Sequence, residues 1–148
     1  MQGETYAEQA YGALGHLDFS DNKLLAERPE YFVFNGTAGA LTSDADALRA
    51  KVGETVRIFF GVGGPNFTSS FWVIGGIFDR VYPFASLTSA PLADVQTASV
   101  PPGGATIVEF KLQVPGGYIL ADHPLNRMER GLAGYLYVEG PDNADVFR

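Results

Sequence analysis

Two histidines are the scarcest groups in this 148-residue chain that could bind a metal or move a proton near neutral pH, and they sit in unlike settings. His123 ends the run Pro115-Gly116-Gly117-Tyr118-Ile119-Leu120-Ala121-Asp122-His123, which reads as a strand closing on a polar pair before a short helical segment. Loops at such strand ends let side chains converge on a ligand. One imidazole does not hold a metal firmly, because catalytic metal sites usually draw on three protein ligands, and a histidine hydrogen-bonded within a loop fits the same pattern. His16 has only Asp18 as a nearby carboxylate and reads as structural. The carboxylates Asp44, Asp46, Asp79, Asp94, Asp122, Asp142 and Asp145 are scattered, with no spacing that forces two into one cleft. Ser69 and Ser70 lie near no histidine, and no GxSxG is present, so a nucleophilic triad has little support. Gly61-Val62-Gly63-Gly64 lacks the lysine and the following helix of a phosphate loop and reads as a turn. Trp72, the single tryptophan, lies in Phe71-Trp72-Val73-Ile74, where an indole suits packing in a core or at an interface.

Composition narrows the chemistry. The chain has no cysteine, which excludes disulfides, a thiolate nucleophile, iron–sulfur ligation and a blue copper centre that needs a thiolate. Seventeen acids against ten bases give a net charge of -7, and no cluster of Lys and Arg offers itself to a phosphate backbone, so no nucleic acid partner is expected. No stretch of 18 apolar residues runs without a charge or turn residue, and Met1–Gly12 has no basic segment leading into an apolar one. The chain as given is therefore expected to be soluble, with no membrane partner and no signal peptide. Its length is that of one domain, able to bury roughly 68–70% of its unfolded surface.

The elements that must position His123 and Trp72 read as strands. Up to Glu30 the chain is polar and fits neither a 3.6 nor a 2.0 period, which predicts an extended N-terminal arm over 1–30, with a short turn of helix capped at Ser20 or Asp21, running through Leu25 and closed off by Arg28-Pro29. From Tyr31 come short β-branched and aromatic runs: Tyr31–Phe34, Thr55–Phe60, Ser70–Ile77, Val95–Val100, Ala105–Val114 and Tyr135–Val138. Gly- and Pro-rich turns separate them, a pattern of an antiparallel sandwich or barrel over 31–148. Within Thr106–Val114, Glu109, Lys111 and Gln113 alternate with Phe110, Leu112 and Val114, which predicts one wet face and one face on the core. Pro124–Arg130 reads as a second short helix, stopped by Gly131.

A longer likeness runs through the whole chain. Val33-Phe34-Asn35-Gly36, Lys51-Val52-Gly53-Glu54-Thr55-Val56-Arg57, Gly63-Gly64-Pro65-Asn66, Ser69-Ser70-Phe71, Val73-Ile74-Gly75, Val100-Pro101-Pro102-Gly103-Gly104 and Gly131-Leu132-Ala133-Gly134 resemble, in order, the second cupredoxin domain of copper-containing nitrite reductases. That resemblance implies an all-β Greek-key sandwich of cupredoxin type, a periplasmic location, a role in denitrification, and a homotrimer of two-domain subunits. In that family a type 1 copper in the first domain passes an electron to a type 2 copper, which reduces nitrite to nitric oxide at a subunit interface. The second domain gives the type 2 copper one histidine, and by motif this falls on His123. Asp122 then occupies the place of the blue-copper cysteine, so no type 1 copper is expected, and His123, one residue on, points to the opposite side of the chain.

Two departures accompany the match. After Ser69-Ser70-Phe71 the family carries a histidine that moves protons onto nitrite; here the position is Trp72, whose indole donates one hydrogen bond but does not titrate near neutral pH. Losing a general acid typically lowers a rate by about 10²–10⁴-fold. Ile74 matches the apolar residue that shapes the family's substrate pocket, so Trp72 and Ile74 are candidate pocket residues with no confident catalytic residue beside them. The first domain, with the remaining copper ligands, is not in this chain, so the isolated chain is expected to be incomplete or inactive as an enzyme. Three readings stay open: a type 2 half-site that binds copper through His123 with a separate or linked first cupredoxin domain, a trimerisation or interaction domain that has lost copper chemistry, and a self-trimer that recruits His16 as an extra ligand.

Overall fold

A computed structural model describes residues 1–141, so Asp142, Asp145 and the end of the domain expected over 31–148 lie outside the described residues. Two sheets face each other. One carries, in order, β2 (Tyr31–Phe34), β1 (Gln2–Thr5), β4 (Thr55–Gly64), β9 (Ala105–Lys111), β6 (Phe78–Pro83) and β7 (Leu92–Val95). The other carries β3 (Leu48–Lys51), β11 (Ala133–Glu139), β10 (Gly116–Asp122), β5 (Ser69–Ile74) and β8 (Thr97–Val100). From β2 to β6 every successive strand changes sheet, which makes this a Greek-key β-sandwich. Alternate residues of each strand meet between the sheets: Phe60 stacks on Phe71 with ring centroids 4.1 Å apart, Phe71 on Phe78 at 5.8 Å, and Phe78 tilts against Phe110 at 5.6 Å. Val73, Val108, Leu120 and Leu136 fill the space around these rings.

Several elements differ from their sequence expectation for identifiable reasons. The first thirty residues are not wholly an arm, because Gln2–Thr5 pairs antiparallel with β2 and parallel with β4 as an interior strand. Its polar letters give no strand signal; the neighbouring strands supply the hydrogen bonds that order it. The helix α1 does match its expectation: it covers Asp21–Leu25, with Ser20 accepting from the Lys23 N–H, and Glu27 beyond its end adopts a φ of 54°. The expected strand Val95–Val100 is split at Gln96 between two sheets. β5 stops at Ile74 and β9 at Lys111, earlier than the apolar runs suggested, and β3 and β6 went unpredicted. In β6 the buried residues Phe78 and Val81 are separated by two exposed charges, which breaks the period-2 signature. Glu109 lies on the outer face of its sheet yet is 6% exposed, covered by Arg57, whose Nε donates to it at 2.6 Å, so that face is less wet than its alternation implied. Pro124–Arg130 forms only a 3₁₀ turn at Leu125–Arg127.

Two polar anchors secure the ends of this sandwich. Lys23 on α1 donates from Nζ to the Ala7 carbonyl at 2.7 Å, to Glu8 O at 3.2 Å and to the Glu30 carboxylate at 2.6 Å, tying the segment after β1 to the entry of β2. At the far end of β10 the Asp122 carboxylate faces inward with 1% exposure and pairs with Arg127, which also donates to the Thr68 carbonyl at 2.9 Å. The guanidinium lies 4.9 Å from the Phe32 ring centre and 5.3 Å from that of Phe67, a cation–π contact with both rings. Gly131 then reverses the chain at φ +105°, where an added Cβ would come within 2.6 Å of Ala38 Cβ.

The hydrogen bond from Lys23, then its charge, holds the Glu30 carboxyl below its ordinary pKa. A depressed carboxyl contributes stability that is complete above its unfolded pKa of about 4.3 and lost as pH falls through the lower folded value. Glu30→Gln should therefore cost about 1–2 kcal/mol at pH 7 in urea unfolding, with the gap to wild type closing below about pH 4; a gap that stays constant to pH 2 would contradict this. Asp122→Ala or Arg127→Ala should each cost about 3–5 kcal/mol by leaving the other charge buried and unpaired. Asp122→Leu combined with Arg127→Met should recover only part of that loss, because Ser70 N–H then has no acceptor.

Candidate functional site

The site begins with the pairing of β5 and β10, which sets Ala121 opposite Trp72 and Ile119 opposite Ile74. Phe71 and Val73 of β5 enter the core, so Trp72 and Ile74 stand on the outer face, both half-buried. On β10 the same alternation turns Leu120 and Asp122 inward and Ala121 outward. His123 follows Asp122 and is exposed. Its backbone is fixed on β5: His123 N donates to Ser70 O at 3.0 Å, while Ser70 N donates to Asp122 Oδ1 at 2.6 Å. One backbone hydrogen bond and one from the Ser70 N–H to the Asp122 carboxylate thus hold the end of β10 against the strand that bears Trp72.

This anchoring brings two of the candidate residues together. The Trp72 and His123 rings stack with centroids 4.8 Å apart and planes 23° from parallel. Ile74 lies two residues further along the same face of β5, so the three form a short surface tract of indole, imidazole and alkyl side chain. The Trp72 N–H is buried with no hydrogen-bond partner among the described residues, and no side-chain hydrogen bond to the His123 ring is formed among them either. His16 stands apart from this arrangement on the segment after β1, with Asp18 Oδ1 3.6 Å from its Nε2 and its side chain 90% exposed. Among the described residues no three His, Asp or Glu side chains are grouped as a metal site would require. His123 can offer one nitrogen donor, and nothing adjacent among the described residues supplies a second.

The tract is a wall rather than a cavity. A cleft of about 400 Å³ lies beneath the 3₁₀ turn, lined by residues including Arg28, Glu30, Phe67, Pro124, Arg127 and Arg130, and it does not include Trp72, Ile74 or His123. Around the tract the outer face of the five-stranded sheet carries Ile119, Tyr135 and Tyr137, all half-buried, with Arg49 5.5 Å from the Tyr137 ring centre. The role of Arg127 in setting the end of β10 was missed by sequence reasoning, which read Pro124–Arg130 only as a short helix stopped by Gly131. Its only signal was an arginine five residues after a carboxylate that alternation turns into the core.

Comparison with known proteins agrees with this fold. No family model matches the chain. Over 149 aligned residues it is 48% identical to a copper-containing nitrite reductase of Neisseria meningitidis serogroup A, a match covering 99% of this chain and 37% of that protein. The chain thus spans little more than a third of the length of that relative. Among solved structures, a copper-containing nitrite reductase from Thermus scotoductus superposes with a TM-score of 0.80 at 26% identity, covering 96% of this chain and 30% of that one. A copper nitrite reductase from Nitrosomonas europaea gives 0.79 at 27% identity, covering 96% of this chain and 48% of that one. Sequence and fold together make the chain a cupredoxin-fold relative of the copper-containing nitrite reductases that corresponds to their second, C-terminal domain.

Proposed function

We propose that this chain is one half of a shared type 2 copper site for nitrite reduction, contributing His123 to a metal whose other ligands come from a first cupredoxin domain on a partner. The observation that carries this reading is the exposed imidazole of His123, with no hydrogen bond to its ring among the described residues, on a backbone tied down by Ser70. A neutral imidazole is a suitable copper ligand, and the residues present fit the metal as one donor. Copper held there supplies one-electron redox chemistry and a Lewis-acidic position for an oxyanion. Ile74 offers an apolar wall beside that position, and Trp72 excludes water from one side of His123 without being able to deliver a proton. The half-buried aromatic face of Trp72, Ile119, Tyr135 and Tyr137 suits docking of neighbouring subunits, in keeping with a trimer, and a periplasmic location follows the family. No helix among the described residues is long and apolar enough to cross a membrane.

A second reading is favoured by Trp72 itself. An indole where relatives of this kind are expected to carry the proton-donating histidine fits a trimerisation or interaction domain that no longer performs copper chemistry, with Trp72 as an aromatic anchor.

The two readings separate in a copper titration of the full chain carrying His16→Asn. A half-site gives weak Cu(II) binding with an axial paramagnetic resonance signal that His123→Ala abolishes, and copper that is lost on desalting. Binding unchanged by His123→Ala, or no binding before desalting, would overturn the half-site. The isolated chain should not reduce nitrite. In an assembly completed by a first cupredoxin domain, Trp72→His should raise nitrite turnover by about 10²–10⁴-fold.

A further inference from the structure

The stack between Trp72 and His123 points to a role for the indole that goes beyond filling a pocket. A metal–imidazole bond lies in the plane of the ring, along a nitrogen lone pair, so a ring free to rotate spreads that lone pair over a wide arc. Ligand histidines are ordinarily held by a hydrogen bond from their second nitrogen to a carboxylate, a carbonyl or water. His123 has no such protein partner among the described residues: the neighbouring carboxylate, Asp122, is turned into the core and occupied by Ser70 N and Arg127. What the ring does have is an indole 4.8 Å away and 23° from parallel. A neighbour in that orientation covers a π face and leaves the edge, with both nitrogens, open to solvent or a partner.

Trp72 is well placed to serve as the fixed member of the pair. It sits on β5 between β8 and β10, in register with Thr97 on one side and Ala121 on the other. Ala121 is wholly covered although it belongs to the outer face, and its small side chain leaves room for the large ring beside it. The indole N–H has no acceptor among the described residues, so packing rather than a hydrogen bond sets the position of the ring. Packing against imidazole is part of that.

We propose that Trp72 is a positioning residue for His123: the stack fixes the plane of the imidazole, so that one nitrogen is presented outward for a metal completed by another chain. The proposal rests on the half-site reading above and deepens it. An indole at this position exchanges proton transfer for orientation of the ligand.

The test uses the full chain carrying His16→Asn and the probe Cu(II)–iminodiacetate, whose chelator fills part of the coordination sphere and leaves open a position for one imidazole. Affinity is read by calorimetry, and the paramagnetic resonance spectrum reports how uniform the site is. Quenching of the single tryptophan should track the same binding curve in the protein that retains it. Trp72→Leu should weaken binding by about three- to tenfold and broaden the spectrum, and Trp72→Phe should restore most of both, because it returns an aromatic face. His123→Ala should remove binding. Equal affinities and spectra for Trp72, Leu and Phe proteins, with binding still lost in His123→Ala, would overturn the positioning role and leave the half-site standing. Binding that survives His123→Ala would overturn both. If the Leu variant does not fold, Trp72→Met, which keeps an apolar side chain without a ring, takes its place in the same comparison.

Discussion

The Asp122 carboxylate has to be neutralised where it lies, 1% exposed at the inner end of β10, and much of the site follows from how this is done. Arg127 supplies the charge from the 3₁₀ turn and Ser70 N supplies a hydrogen bond from β5, so one buried anion joins a strand, a turn and the neighbouring strand. A charge this deep is tolerated only with such partners, because its desolvation is expensive and the protein replaces the lost water with fixed donors. With Asp122 pinned inward, the next residue must face outward. His123 is therefore exposed by the geometry of an extended chain rather than by any contact of its own.

That arrangement leaves an imidazole at the rim of a half-buried aromatic sheet face, which is a poor place for a complete metal site and a good place for part of one. Three donors converge when loops from one chain surround an ion, and here, among the described residues, a single donor projects from the sheet face. Completing the coordination from another chain makes assembly and metal binding mutually dependent, since each contributes to the stability of the other. In the proposed half-site the Trp72 indole would keep an apolar surface next to His123 and hold the imidazole plane, and it carries no group that titrates near neutral pH.

Most strand runs from Tyr31 onward, the sandwich class and a helix cap at Ser20 or Asp21 could be read from local letters, because period-2 alternation and turn residues act over a few positions. The elements that could not be read are those ordered by neighbours. Gln2–Thr5 has little apolar content and is a strand because β2 and β4 flank it. The burial of Glu109 on an outer face depends on Arg57 and Tyr82 crossing from adjacent strands. Pro124–Arg130 carried the terminal signals of a helix, yet Arg127 is drawn down to Asp122 and the segment closes as one tight turn.

For the site, the sequence by itself determined which chemistry was possible: no thiolate, one histidine at a strand end, an inward Asp122 followed by an outward His123, and a single tryptophan whose indole does not titrate near neutral pH. Those are properties of residue type and of alternation along one strand. The tertiary structure alone decided that Trp72 and His123 share a stack and that Arg127 serves Asp122. Such contacts depend on the register between β5 and β10 and on the path of the turn after β10. Register is fixed by the fit of many side chains across two sheets at once, and no local pattern records it.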